Sequence, residues 1–305
     1  MSSVNARPAD AASAGTLTLG ARLTVGRLGF GAMRLTGDGI FGPPRDRDEC
    51  RRVLRRAVEL GVTFIDTADA YGPAVSEAII AEALHPYPAG LVIATKGGFE
   101  RPGPHEWVTN GRPEYLRAAC EGSLRRLRLD CIDLYQLHRI DPQVPDADQF
   151  GALADLRREG KIRFVGLSEV GVEHIARARR TVPIVSIQNR YNLDDRTWDP
   201  VVEYCTSHGI AFIPWYPLGA GSLGVSAPLA QVARRHTATP LQVALAWLLA
   251  RAPIMLPIPG TSKVAHLEEN VAAASLSLTP DDIRTLEGPL VKRLKRLVKR
   301  SLRLV

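Results

Sequence analysis

Asp66 and Tyr71 stand five residues apart in "TFIDTADAYG", where an apolar run, Val62 to Ile65, gives way to a glycine-terminated loop. Taken alone, such a pair reads as a turn in which the carboxylate caps the chain and the phenol packs on it. Two more chemical groups stand at comparable places: Lys96 follows "LVIAT" and His138 follows "CIDLYQL". Together the four side chains suit delivery of a proton to a carbonyl oxygen while another group attacks its carbon. A phenol ordinarily titrates near ~10 and donates sluggishly at neutral pH. An adjacent ammonium favours the phenolate and eases donation. A carboxylate beside the lysine keeps that ammonium charged and in place, and the imidazole orients the carbonyl. No serine or cysteine nucleophile with a base partner is apparent, and the seven histidines show no metal-ligand spacing.

Such groups need elements to bring them together. Short apolar runs recur at 28–33, 62–66, 91–95, 131–137, 163–167, 183–188, 210–215 and 254–258. Most are too uniformly apolar to be half-exposed, as expected of strands buried on both faces of a parallel sheet. Between them lie segments with helical spacing. Cys50, Val53, Leu54, Ala57 and Val58 form one stripe, with Asp46 as N-cap, Glu49 three residues on and Gly61 past the end. Others are 116–127, 150–156, 201–205 and 241–249. Eight strands alternating with about eight helices predict an α/β fold, a (β/α)8 TIM barrel whose chemistry sits at the C-terminal strand ends. Before the first strand, "TLTLGARLTVG" reads as a hairpin that plugs one barrel mouth.

The remaining strand ends suit a cofactor. Trp215 offers a flat face to a nicotinamide ring, and Ser168, Glu169 and Gln188 offer hydrogen bonds to its carboxamide. "PLGAGSLG", from Pro217 and Leu218 through Gly219 and Gly221 to Gly224, contains a formal G-x-G-x-x-G. No βαβ unit surrounds it, so it is a weak Rossmann fingerprint but a reasonable loop for backbone approach to a pyrophosphate. Gly260, Thr261, Ser262 and Lys263 then precede a helix whose N-terminus is an anion site.

Bulk properties set limits. At 305 residues, 45% apolar and 23% charged, the chain has an ordinary globular balance. Residues 17–288 read as one domain, behind a disordered small-residue leader (1–16). The four scattered cysteines fit a reducing cytoplasm better than a disulfide framework. The net charge of +7 is confined to the tail 289–305, whose seven Lys/Arg face no acid; the rest is balanced, unlike a nucleic-acid-binding surface.

The motifs "FIDTADAYG", "ATKGG", "YQLHRID", "GLSEV", "SIQNRYN", "PWYPLGAG" and "IPGTS…HLEEN" closely resemble those of the aldo-keto reductases, in order and spacing, over roughly 17–288. The resemblance implies NADP(H), with NAD(H) ranked second, and hydride transfer to a small-molecule aldehyde or ketone. By position it makes Tyr71 the acid, Lys96 the group that lowers its pKa, Asp66 the holder of Lys96, and His138 the carbonyl-orienting group. It makes Trp215 the stacking aromatic, Ser168 and Gln188 the carboxamide binders, and Glu269 and Asn270 the adenine binders. Glu169 replaces a common amide. Gly260 and His266 stand where many members hold the 2′-phosphate with lysine and arginine; Ser262 and Lys263 are the expected substitutes. The loop 31–49 is similar to that of a bacterial branch that includes pyridoxal reductases, which suggests pyridoxal as substrate. In the tail, Leu290, Val291, Leu294, Leu297, Val298 and Leu302 fall at helical spacing opposite Lys/Arg. That pattern suits an anionic membrane surface or an acidic partner, and it keeps open a second reading as a cofactor-binding regulatory subunit. Equally, the tail suits a helix packed on the barrel or a disordered end. The sequence leaves the oligomeric state open.

Overall fold

The computed structural model describes residues 9–20, 22–219 and 226–288. The hairpin comes first: β1 (Thr16–Leu19) pairs antiparallel with β2 (Leu23–Gly26). Seven parallel strands follow, in the spatial order β11-β10-β9-β8-β5-β4-β3. They are β3 (Phe30–Gly31), β4 (Phe64–Asp66), β5 (Val92–Gly97), β8 (Ile132–Leu137), β9 (Ile162–Ser168), β10 (Ile184–Gln188) and β11 (Ala211–Phe212). A small antiparallel pair, β6 (Phe99–Glu100) with β7 (Val108–Thr109), rises from the loop after β5. Helices α1 (Arg47–Glu59), α2 (Val75–Leu84), α3 (Pro113–Leu127), α4 (Asp146–Arg158), α5 (Val172–Ala178) and α6 (Asp199–His208) alternate with the strands. Helices α7 (Ala227–Arg235), α8 (Pro240–Arg251), α9 (Val264–Ala272) and α10 (Pro280–Glu287) follow.

The eighth run, 254–258, is not a regular strand. Pro257 and Pro259 have no N–H to give a ladder, so its pairing with β11 shrinks to one bridge, Phe212 to Met255. The circle still closes, because the Gly29 N–H donates to the Pro257 carbonyl at 3.0 Å. Contact there is main chain on main chain. A Cβ on Gly260 would lie 2.4 Å from the Gly31 oxygen, and one on Gly31 would lie 2.7 Å from the Ile258 oxygen.

The two-residue period of a strand assigns the interior. Phe64, Val92, Ala94, Leu134, Phe164 and Leu256 pack inside the barrel, and Leu19 and Val25 of the hairpin join them from below. The same faces, continued toward the C-terminal ends, arrive at Asp66, Lys96, Gln136, Ser168 and Gln188. An apolar plug thus lies under a polar floor. Outside, α1, α2 and α9 bury one cluster and α3 to α8 another.

Local signals explain the helices. The Glu49 N–H donates to Asp46 Oδ1 at 2.8 Å, and Thr239 and Thr279 form capping boxes ahead of Pro240 and Pro280. The Glu49 carboxylate does not return to its own cap. It accepts the Val264 N–H at 3.2 Å and joins α1 to the start of α9. The second half of the expected leader is ordered: Ala11–Ala14 form a 3-10 turn capped by Asp10, with Ala11 fully buried. The basic tail from 289 onward lies outside the described residues. Among those described, no helix is long and apolar enough to cross a membrane.

Candidate active site

A cavity of about 830 Å³ opens at the C-terminal ends of the strands, within the range of small-molecule sites. Asp66 ends β4, Lys96 lies near the end of β5, His138 follows β8, and Tyr71 sits on the loop between β4 and α2. The fold brings these four groups together as expected. Lys96 is 0% exposed; its ammonium donates to Asp66 Oδ2 at 2.6 Å, to the Thr67 carbonyl at 2.8 Å and to Tyr71 Oη at 3.4 Å. All three of its protons are thereby placed. Burial alone would lower the Lys96 pKa, but the Asp66 carboxylate and Tyr71 hold it above the ordinary value. Burial pushes the Tyr71 phenol up, and the Lys96 ammonium pulls against that shift. The phenol therefore keeps its proton near neutrality while a cation waits beside its oxygen.

His138 lies edge-on to Tyr71, with ring centres 5.8 Å apart, and to Phe99 at 4.8 Å. Burial, with further depression from Lys96, Arg139 and Arg101, takes its pKa well below the ordinary value. The imidazole is neutral at physiological pH, and its Nδ1 is buried without a partner. A neutral ring can orient a carbonyl; it is not the charged acid of the site.

Sequence reasoning missed two supports. Gln136 and Gln188 both donate to Asp66 Oδ1, at 3.0 and 2.8 Å, so the carboxylate that holds Lys96 is itself held on its other oxygen. The inward parity of Gln136, two residues before His138 on a buried strand, was the available signal. Gln188 was expected to serve only a carboxamide. Its nitrogen is committed to Asp66, which leaves its oxygen for the cavity it lines.

The other missed support is Arg101, between β6 and β7. Its guanidinium donates to five carbonyls: Glu106 (2.9 Å), Pro104 (2.9 Å), Gly39 (3.1 Å), Ile40 (3.1 Å) and Ala70 (3.0 Å). It also stacks on Trp107, 3.6 Å from the ring centre. Arg101 thus joins the loop at 39–40, the Tyr71 loop and the Phe99–Trp107 wall. An arginine flanked by glutamate, proline and glycine carries no sequence mark of this role. Arg101→Lys keeps the charge and loses the fork. It should lower kcat/KM for a carbonyl substrate by about 10- to 100-fold through misplacement of Tyr71, with NADPH affinity unchanged. Steady-state rates beside a cofactor fluorescence titration would check this; an unchanged rate would mean that Arg101 does not position Tyr71.

Glu169 departs from its expected place. Its carboxylate accepts the Trp215 indole N–H at 2.7 Å and the Arg190 N–H, and it does not line the cavity. Its backbone is left-handed, φ 56°, a costly conformation for a non-glycine residue. The turn aims the carboxylate at Trp215, so Glu169 fixes the indole instead of meeting a carboxamide. Ser168, Trp215, Pro217, Leu218, Gly260, Thr261, Ser262, His266, Glu269 and Asn270 do line the cavity. Gly219 and Lys263 do not; Lys263 is exposed, as the N-cap residue of α9. Gly221 lies outside the described residues. The anion site expected at α9 is already shared, since Glu49 takes the Val264 N–H. Gly260 is explained by the closure at Gly31, where a side chain would strike main chain.

The sequence profile of the aldo/keto reductase family matches residues 27–289. The chain belongs to this family. The chain is 52% identical over 279 residues to an uncharacterized oxidoreductase of Schizosaccharomyces pombe, covering 91% of this chain and 90% of that one. It is 44% identical over 282 residues to pyridoxine 4-dehydrogenase of Escherichia coli, covering 90% and 98%. A thermostable aldo-keto reductase solved with the inhibitor epalrestat superposes with a TM-score of 0.80 at 31% identity, covering 89% and 98%. The matches include the branch whose likeness was legible in the loop 31–49. Within this aldo/keto reductase the donor set fits a dinucleotide. A fixed indole and two hydroxyl or amide groups (Ser168, Gln188) lie at one end, and Ser262, His266 and Asn270 lie at the other. No group of three or more histidine, cysteine or acidic side chains placed to hold a metal occurs among the described residues.

Proposed function

We propose that this aldo/keto reductase uses NADP(H) to reduce an aldehyde or ketone to the alcohol, with a small aromatic aldehyde of the pyridoxal type as the first candidate. The observation that carries this reading is the buried Asp66–Lys96–Tyr71 chain beside a neutral His138, with Asp66, Tyr71 and His138 lining the cavity of about 830 Å³. When bound, the cofactor supplies the hydride. Everything else is asked of the chain. Trp215, held by Glu169, offers the ring its face, and Ser168 with the Gln188 oxygen meets the carboxamide. His138 and Tyr71 converge on the carbonyl oxygen, and the aromatic wall of Phe99 and Trp107 excludes water. Tyr71 Oη gives its proton to the developing alkoxide, and the phenolate left behind is stabilised by the Lys96 ammonium. Asp66 keeps that ammonium charged throughout. The name of the Escherichia coli relative supports the choice of a pyridoxal-type carbonyl.

Ser262 and His266 stand near the α9 N-terminus, and either could meet a ribose phosphate. One charge-assisted hydrogen bond is worth ~1.5–3 kcal/mol, so NADPH should exceed NADH by about 10- to 150-fold in kcat/KM. Loss of absorbance at 340 nm with each cofactor, against pyridoxal, simple aromatic aldehydes and 1,2-dicarbonyls, tests both statements. Equal rates with the two cofactors would remove the phosphate contact. No oxidation with any carbonyl, despite NADPH binding, would overturn the reductase reading and return attention to recruitment through the tail. Burial pushes the Cys120 and Cys205 thiols up to about 12, so neither is a reactive nucleophile.

A further inference from the structure

Arg139 follows His138 directly and lines the same cavity. Its guanidinium is incompletely used. Nη1 donates to the His138 carbonyl at 2.6 Å and to Ser168 Oγ at 3.0 Å. Among the described residues, neither Nε nor Nη2 forms a hydrogen bond, and no carboxylate pairs with the group. Glu169, whose charge acts on it, is occupied by the Trp215 indole and the Arg190 N–H. Other buried or half-buried arginines are treated differently. Arg101 is saturated by five carbonyls, and Arg196 and Arg251 share Asp199. A guanidinium stays charged at any physiological pH. Arg139 is only half-buried, so its two unused nitrogens face the cavity it lines, where a bound anion would take them up.

Where such an anion would sit is constrained. The Arg139 guanidinium lies 5.6 Å from the Phe99 ring centre, and that ring is 4.8 Å from His138. Guanidinium, phenyl and imidazole form one corner of the cavity, the corner that holds the reacting carbonyl if the reductase reading is right.

We propose that Arg139 reads an anionic oxygen on the substrate, so that the preferred substrate is a carbonyl compound carrying a carboxylate, phenolate or phosphate oxygen within a few bonds of its carbonyl. This rests on the reductase reading and narrows it. An apolar ring between the two groups would lie against Phe99 and Trp107, and the fork would take the anion by one or two parallel N–H donors.

The test uses the full chain with saturating NADPH. The substrates are 3-carboxybenzaldehyde and 3-nitrobenzaldehyde, which match in shape and differ in charge. Arg139→Met keeps an unbranched apolar stem and removes the donors. The ratio of kcat/KM, carboxy over nitro, should fall about 10- to 100-fold in the variant, chiefly through KM. Arg139→Lys, which keeps the charge and loses the fork, should lie between. An unchanged ratio overturns the proposal. Equal losses for both aldehydes, with weakened NADPH binding, also overturn it and make Arg139 a cofactor ligand. A binding arm needs neither turnover nor a variant: benzoate should quench the tryptophan fluorescence of the NADPH complex at least about tenfold more tightly than benzamide. Equal affinities overturn the proposal. Failure to reduce either aldehyde, with the benzoate preference intact, overturns the reductase reading and leaves the anion site standing.

Discussion

Tyr71→Phe should lower kcat for carbonyl reduction by about 10²- to 10⁴-fold, the span of a lost general acid, while NADPH binds as before. The substitution is conservative in the structure. It keeps the ring, its edge contact with His138 and its place under the Ala70 carbonyl that Arg101 holds. Only the oxygen 3.4 Å from the Lys96 ammonium is removed, and that ammonium retains Asp66 and the Thr67 carbonyl. Stability should fall by no more than the ~0.5–1.5 kcal/mol of one hydrogen bond. The contrast between a nearly intact fold and a lost rate separates the acid from the turn-cap reading of "TFIDTADAYG". If the variant turns over at a rate close to wild type, Tyr71 is a packing residue and the proton comes from elsewhere. Single-turnover absorbance with NADPH already bound would decide it, because cofactor affinity then does not enter.

Why the four central groups were legible and their supports were not follows from what a sequence encodes locally. Asp66, Lys96 and His138 each interrupt or follow a buried apolar run, where a charged or imidazole side chain is expensive and so conspicuous. Strand parity then sends them to one barrel mouth without further information. Gln136 is less conspicuous, because a neutral amide inside "YQLH" costs little to overlook and its partner lies 70 residues away. Arg101 reads as a surface arginine, since its five acceptors are carbonyls that no residue type announces. Glu169 was expected to face a ligand; its left-handed backbone turns it toward Trp215, and a single sequence does not reveal that φ. The eighth strand was legible as an apolar run, but Pro257 and Pro259 reduce it to a bridge, and barrel closure passes to the glycine contact at Gly31 and Gly260. The leader is a similar case. Its composition suggests disorder, yet one Asp10 cap and a buried Ala11 fix residues 11–14 against α1.

Lys96→Met should cost both stability and rate, and the two losses can be taken apart. Removing one member of a buried ion pair leaves the other charge without compensation, which typically costs ~3–5 kcal/mol. Here Asp66, 2% exposed, would keep only the Gln136 and Gln188 amides, and the Thr67 carbonyl would lose its donor. A fall in Tm on the order of 10 °C is expected from that cost. Asp66→Asn in the Lys96→Met background removes the stranded charge and should recover much of the lost Tm. The rate should not return with it, because the phenol would remain buried without the ammonium beside its oxygen, leaving only the weaker influence of Arg139 to favour its conjugate base, and burial pushes that phenol up. Scanning calorimetry beside steady-state kinetics on the single and double variants would read both. The link to Tyr71 has its own check in non-additivity. If Lys96 acts on the reaction through the Tyr71 oxygen, then adding Lys96→Met to Tyr71→Phe should cost little further rate, since the group it serves is already gone. Additive losses would mean that Lys96 acts on the reacting carbonyl independently, and the chain from Asp66 through Lys96 to Tyr71 would have to be redrawn.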